Sequence, residues 1–223
     1  MRDGLEVVNH KRIYRLMKEE GLLLTRAPAH KDNRIHSGRL VTDESNQRWC
    51  SDGFELSCHN GEKVRVIFVL DCCDREVISF AVSTGGYTAD MAQSALLEAI
   101  EKRFGLQKAQ RDLEWLTDNG SCFIAKETLA FSEDVGVKKC FTPVRSPQSN
   151  GMAEALVKTL KRDYASVNSL PDAETVKARL GQWIEDYNEY APHKGLGWLS
   201  PRQFRKLAAN GNSSGAARVQ KAA

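Results

Sequence analysis

The sequence predicts an α/β protein built on a mixed five-stranded sheet flanked by helices, in the order βββαβαβα. Two observations carry this reading. Residues 48–58, 63–71 and 76–84 are three consecutive strand-like runs, the first two joined across the turn signal Asn60-Gly61. From Tyr87 onward the apolar period lengthens to that of a helix, and helical and strand-like segments then alternate. A run of strands favours antiparallel pairing and an alternation of strand and helix favours parallel pairing, so a mixed sheet follows.

Taken in order, residues 8–21 place Ile13, Leu16 and Met17 on one helical face, with Lys11, Arg12 and Arg15 mostly elsewhere and Gly21 as a stop. This basic face is either the solvated side of a packing helix or a DNA-contacting surface left from a helix-turn-helix. Residues 1–26 thus form a basic helical segment, and the polar, aperiodic stretch 27–47 reads as a linker. After the three strands, Thr88 is a candidate N-cap for a helix to Phe104 with Met91, Ala95, Leu96, Ala99 and Ile100 as its apolar stripe. A strand at 112–117, a helix at 124–135, a strand at 137–142 and a helix at 147–165 complete a core spanning 48–168. Pro171 opens a helical stretch whose face Val176, Leu180, Trp183, Ile184 and Tyr187 should pack on that core. Ser200-Pro201 begins a last helix, so that 169–209 form a C-terminal helical part, and 210–223 have too little to bury to stay ordered.

A chain of 223 residues with 41% hydrophobic content can bury a sizeable core. Neither an apolar run of about 20 residues nor a signal-peptide core is present, so a cytoplasmic location is expected, with no membrane partner. The net charge is only +3, but its distribution is uneven. Nine Lys/Arg face five Asp/Glu in residues 1–40, and six face two in residues 138–163. Basic character is therefore concentrated at two places, as a nucleic-acid binder requires. The six cysteines include no C-x-x-C pair, which argues against a zinc site and for reduced thiols.

Three acids stand out. Asp52 interrupts the apolar run Trp49–Phe54, Asp118 ends the strand Leu113–Thr117, and Glu154 opens a basic helix, separated from Asp118 by 35 intervening residues. If strands one and four are neighbours, both aspartates approach one region of the sheet, and the Glu154 helix can complete a three-carboxylate cluster suited to two hard cations. Such a cluster repels itself, so without metal and DNA to compensate it the Glu154 helix can be displaced or its loop mobile. Lys158 and Lys161 follow Glu154 by four and seven residues and so share its helical face. Gln148 and Asn150 precede the helix and can donate to phosphate or base edges, and Gly151 permits close backbone approach.

Arranged in this order, the words WCSDGFEL (49–56), LDCCDRE (70–76), WLTDNGSCF (115–123), SPQSNGMAEALVKTLKRDY (146–164) and YNEYAPHKGLGWLSPRQF (187–204), with NHKRIYRLMKEEGLL (9–23), resemble the DDE transposases of bacterial insertion sequences. The likeness is to the second-frame product, whose catalytic core is similar to that of retroviral integrases, and it runs through residues 8–206. It implies a ribonuclease-H-like fold in which Asp52, Asp118 and Glu154 are catalytic and bind two Mg²⁺ ions, with Mn²⁺ as a substitute. It implies DNA contacts at Lys158, Lys161, Gln148 and Asn150, and at Lys11, Arg12 and Arg15 of the first helix.

The resemblance further implies cleavage and strand transfer at terminal inverted repeats, by copy-out, paste-in transposition through a circular intermediate. The implied partners are element ends and target DNA, a first-frame protein joined by frameshifting, and a second copy of the chain in a dimer or larger assembly. The commonest family form has arginine at the position of Ala191, and His193 is expected to be structural. Two rival readings are a non-catalytic DNA-binding inhibitor derived from a transposase and a ribonuclease-H-like nuclease.

Overall fold

The computed structural model describes residues 9–23, 42, 44–109, 112–142 and 150–209. The chain divides into two compact units, Met1–Arg39 and Leu40–Ala223. Within the first unit, α1 (His10–Glu19) is capped by Asn9, whose side chain accepts from the Lys11 N–H at 2.9 Å. Every residue of α1 is exposed, including Lys11, Arg12 and Arg15. Its apolar stripe Ile13, Leu16 and Met17 is therefore open as well.

The second unit is a five-stranded sheet in the order β3-β2-β1-β4-β5. Strands β1 (Arg48–Ser57), β2 (Lys63–Asp71) and β3 (Val77–Ser83) form an antiparallel meander. The β1–β2 turn closes where the Cys58 N–H donates to the Glu62 carbonyl at 2.8 Å, with Gly61 at φ 88°. Only glycine holds that backbone without strain. Strands β4 (Leu113–Thr117) and β5 (Val137–Phe141) then add in parallel, β4 directly beside β1. The expected mixed sheet and its element order are those observed.

Residues of β2 alternate between two cores. Val64, Val66, Phe68 and Leu70 face one cluster, and Ile67 and Val69 face the other. The second cluster is covered by α2 (Ala89–Phe104), whose N-cap is Thr88, accepting from the Met91 N–H at 3.3 Å. The first is covered by α5 (Gly151–Thr159) and α6 (Ala173–Tyr190), through Ala153, Leu156 and Leu160 and through Val176, Leu180, Trp183, Ile184 and Tyr187. The last helix, α7 (Pro201–Ala209), buries Phe204.

Three local departures from the sequence reading have physical causes. The helix expected at 124–135 is two, α3 (Ser121–Ile124) and α4 (Lys126–Asp134), because Ala125 is extended at ψ 139°. The Thr128 hydroxyl donates to the Cys122 carbonyl at 2.7 Å and stabilises that corner. Residues Leu160–Ala165 continue α5 as a π-helical turn. The wider turn carries Ala165 to the core after Leu160 and leaves Asp163 in solvent. The N-cap of α6 is Asp172, one residue past Pro171, and it accepts from the Thr175 N–H at 2.7 Å. The tail 210–223 and most of the 27–47 segment lie outside the described residues.

Candidate active site

Asp52 and Asp118 are brought level by the parallel pairing of β1 with β4. The last paired residues are Cys50 and Leu116, and each aspartate lies two residues further along its strand direction. Asp52 orients itself by accepting its neighbour's backbone N–H, from Gly53 to Oδ1 at 2.7 Å. Asp118 does the same with the Gly120 N–H at 3.0 Å, forming an Asx turn beyond β4. Beneath them the Trp115 indole donates to the Ser51 hydroxyl at 2.7 Å, locking β1 to β4 just before both acids.

Glu154 stands exposed in the first turns of α5. It reaches the same electrostatic neighbourhood. Asp52 is raised from 3.8 to about 6, first by burial and then by the charges of Asp118 and Glu154, while the Gly53 N–H and the Lys161 ammonium act to lower it. Asp52 therefore feels both other acids and the second helical lysine. The cluster is open: among the described residues, no three His, Cys, Asp or Glu side chains are close enough to hold a metal ion. Carboxylate donors that raise one another's affinity for protons suit a hard divalent cation, which supplies the missing positive charge.

Lys158 and Lys161 are both exposed on the segment that carries Glu154. Asn150 is placed differently from the expectation of a DNA donor. It is 5% exposed, and its amide donates to the Ser51 carbonyl at 3.1 Å, tying the start of α5 to β1 beside Asp52. Its Oδ1 is buried without a partner among the described residues. Gln148 lies outside the described residues. Asn119 is exposed and its amide donates to the Thr142 carbonyl at 3.3 Å. His193 stacks edge-on against Tyr187 at 5.0 Å, and burial with the nearby Arg75 charge lowers it to about 4, so its ring is neutral. It lies in the C-terminal segment, and its backbone N–H bonds the Leu199 carbonyl at 3.0 Å.

Sequence reading missed Lys139. Its ammonium sits 3.3 Å from the Trp115 ring centroid, with Phe123 and Phe141 at 5.1 and 5.4 Å. Burial lowers it to about 7, opposed by the charges of Cys122 and Asp118. The faint signal was the pair Lys138-Lys139 in a strand, where alternation must turn one lysine inward.

A mixed sheet of this order, with two acids just past the end of the β1–β4 pairing and a third on the helix after β5, defines a ribonuclease-H-like core of the integrase type. An integrase core domain family matches residues 42–147 and a second integrase core domain family matches residues 135–201. Transposase InsD of the insertion element IS2A/D/F/H/I/K from Escherichia coli is 51% identical over 213 residues, covering 95% of this chain and 71% of InsD. The chain belongs to this family of insertion-element transposases, enzymes with an integrase core domain. Solved structures agree in fold. A simian T-cell lymphotropic virus intasome chain superposes with a TM-score of 0.60 at 21% identity, over 80% of this chain and 60% of the viral one. The Mos1 transposase catalytic domain, solved with Raltegravir and Mg, gives 0.53 at 17% identity, over 74% of this chain and 83% of that domain.

Proposed function

We propose that this transposase cleaves DNA at the terminal inverted repeats of its insertion sequence and joins the ends to target DNA, with Asp52, Asp118 and Glu154 as the catalytic acids. The observation that carries the reading is the raised Asp52, which feels the charges of both Asp118 and Glu154 at the end of the β1–β4 pair. Asp52, Asp118 and Glu154 would hold two Mg²⁺ ions, replaceable by Mn²⁺, which when bound supply charge neutralisation at the attacking and leaving oxygens of an in-line displacement. The Mg in the fold-related Mos1 domain supports this choice of cation.

The remaining work belongs to the chain's own side chains. Lys158 and Lys161 flank Glu154 with exposed ammonium groups and hold the DNA backbone against the repulsion of the acids. Lys11, Arg12 and Arg15 give α1 a basic surface for DNA phosphates. The Asn150 amide and the Trp115–Ser51 bond fix the elements from which the acids project. Gln148 serves as a further DNA donor in the loop before α5. Transposition proceeds by copy-out, paste-in through a circular intermediate, with a first-frame partner joined by frameshifting and a dimer or larger assembly holding two ends. The chain works in the bacterial cytoplasm, on the nucleoid when bound to DNA, and no helix among the described residues is long and apolar enough to cross a membrane.

The test is strand transfer from labelled element ends in Mg²⁺, with and without the first-frame partner. Joined products that vanish in Asp118→Asn are expected. Cleavage without joining would replace this reading with a nuclease, and binding alone would replace it with an inhibitor.

A further inference from the structure

Tyr87 lies in the turn before α2, packed on the α2 face of the sheet, and Asp52 is the one acid of the cluster among its electrostatic neighbours. Its ring rests on the backbone of Gly53, the residue after Asp52. A Cβ at position 53 would meet the Tyr87 Cε1 at 2.9 Å and Cζ at 3.2 Å, closer than side chains pack. Glycine at 53 thus makes room for an aromatic ring beside a catalytic acid.

The turn is braced from both strands. Arg65 on β2 donates to the Gly85 carbonyl at 2.5 Å and pairs with Glu55 on β1 at 2.8 Å. The Ser83 hydroxyl accepts from the Gly85 N–H at 2.9 Å, and Thr88 begins the helix. A turn tied down at this many points presents its side chain in one place.

The Tyr87 side chain is half-buried, and its hydroxyl makes no hydrogen bond among the described residues. Its electrostatic neighbours are Glu55, Arg65, Asp52 and Cys122, and burial with Glu55 raises it to about 12, so it remains a neutral donor. A braced phenol with a free donor beside carboxylates is placed for a ligand that carries acceptor oxygens and must approach those acids.

Resting on the proposed reading of the site, we infer that Tyr87 is a DNA-positioning residue whose hydroxyl donates to a backbone phosphate close to the bond being cleaved. An uncharged donor suits that place, because it holds the phosphate without pairing with the acids in competition with their cations. Gly53 is the complementary element that lets the ring pack against β1.

The test combines Tyr87→Phe with a scan of single neutral methylphosphonates along each strand of an element-end duplex. Binding is measured in chelator, so that catalysis plays no part. Tyr87→Phe keeps the ring on Gly53 and should melt at the wild-type temperature, yet bind unmodified DNA about 3- to 10-fold more weakly. At one phosphate near the cleavage position, methylphosphonate should weaken wild type by the same factor and leave Tyr87→Phe unchanged. Equal binding by the two proteins, or independent losses at every phosphate, would overturn the proposal while leaving the function standing. Wild-type protein that binds no element-end DNA would sink the functional reading and this inference together, and cleavage surviving in Asp118→Asn would sink the functional reading alone.

Discussion

Burial and the charges of Asp118 and Glu154 hold the Asp52 carboxyl at about 6, against an ordinary value of 3.8. A carboxyl raised by folding takes up a proton as the chain folds, so its contribution favours the folded state at low pH and is lost as pH rises through about 4 to 6. Buried Asp71 is raised to about 7 and acts with the same sign. The Asp52 share must therefore be read as a difference between proteins. In chelator, wild type should lose roughly 1–2 kcal/mol more stability than Asp52→Asn between pH 4 and 7, a figure reduced for the solvent that still reaches the group. Urea midpoints across that range measure it, and parallel curves would show that folding does not raise Asp52. At pH 7, Mg²⁺ should raise the wild-type melting temperature and leave Asp52→Asn unmoved. Asn150 makes a second prediction at this scale. Since its amide ties α5 to β1, Asn150→Ala should weaken Mg²⁺ binding about 10-fold while binding DNA in chelator as wild type does. Loss of DNA binding with intact Mg²⁺ affinity would instead restore it as a DNA contact.

Elements place these residues, and most elements were legible from period alone. The three acids could be singled out because each sits in an ordered word, and the neighbouring of β1 and β4 was the single tertiary assumption their approach required. Asn150 was read as a DNA donor because a polar residue before a helix reads as solvent-facing, and only the tertiary fold shows the Ser51 carbonyl that its amide meets. Lys139 and Tyr87 were missed because their partners are ring faces and a bare backbone, which leave no pattern in sequence. The π turn at Leu160–Ala165 also escaped, since it accommodates a core position one residue late. That turn sets Tyr164 against α6, with its ring 6.3 Å from Trp183 and its hydroxyl donating to Asp186 at 2.8 Å. Tyr164→Phe should keep the ring contact and lose the hydrogen bond, lowering stability by about 1 kcal/mol with an unchanged denaturant slope. A changed slope would mean that the turn itself rearranges.

Across the whole core unit, the strand edge far from β5 is fastened to the C-terminal helices by charge. Glu76, 7% exposed just before β3, meets Arg205 at 2.8 Å, Arg103 at 3.1 Å and Arg202 at 3.3 Å. Arg103 comes from α2 and also pairs with Asp74 at 3.3 Å, both side chains being almost fully buried. Beside them, Asn188 on α6 exchanges two hydrogen bonds with the Val77 backbone, at 2.8 and 2.9 Å. These contacts join α2, β3, α6 and α7 across sequence separations that local pattern cannot reveal, although Glu76 closes one of the words that marked the family. Removing the Glu76 charge leaves three guanidinium groups short of a partner, one of them buried. Glu76→Gln should therefore cost about 3 kcal/mol. Glu185→Gln offers the contrast, because Glu185 pairs with Arg202 at a largely solvated position, its side chain 60% exposed. Its loss should cost under about 1 kcal/mol. Urea denaturation of the two variants decides whether burial or mere pairing fastens this edge, and equal midpoints would exclude the buried charge as the fastening. Hydrogen exchange gives the location: if Glu76 anchors α7, its backbone amides should lose protection in Glu76→Gln while those of β1 and β4, which carry the catalytic acids, keep theirs.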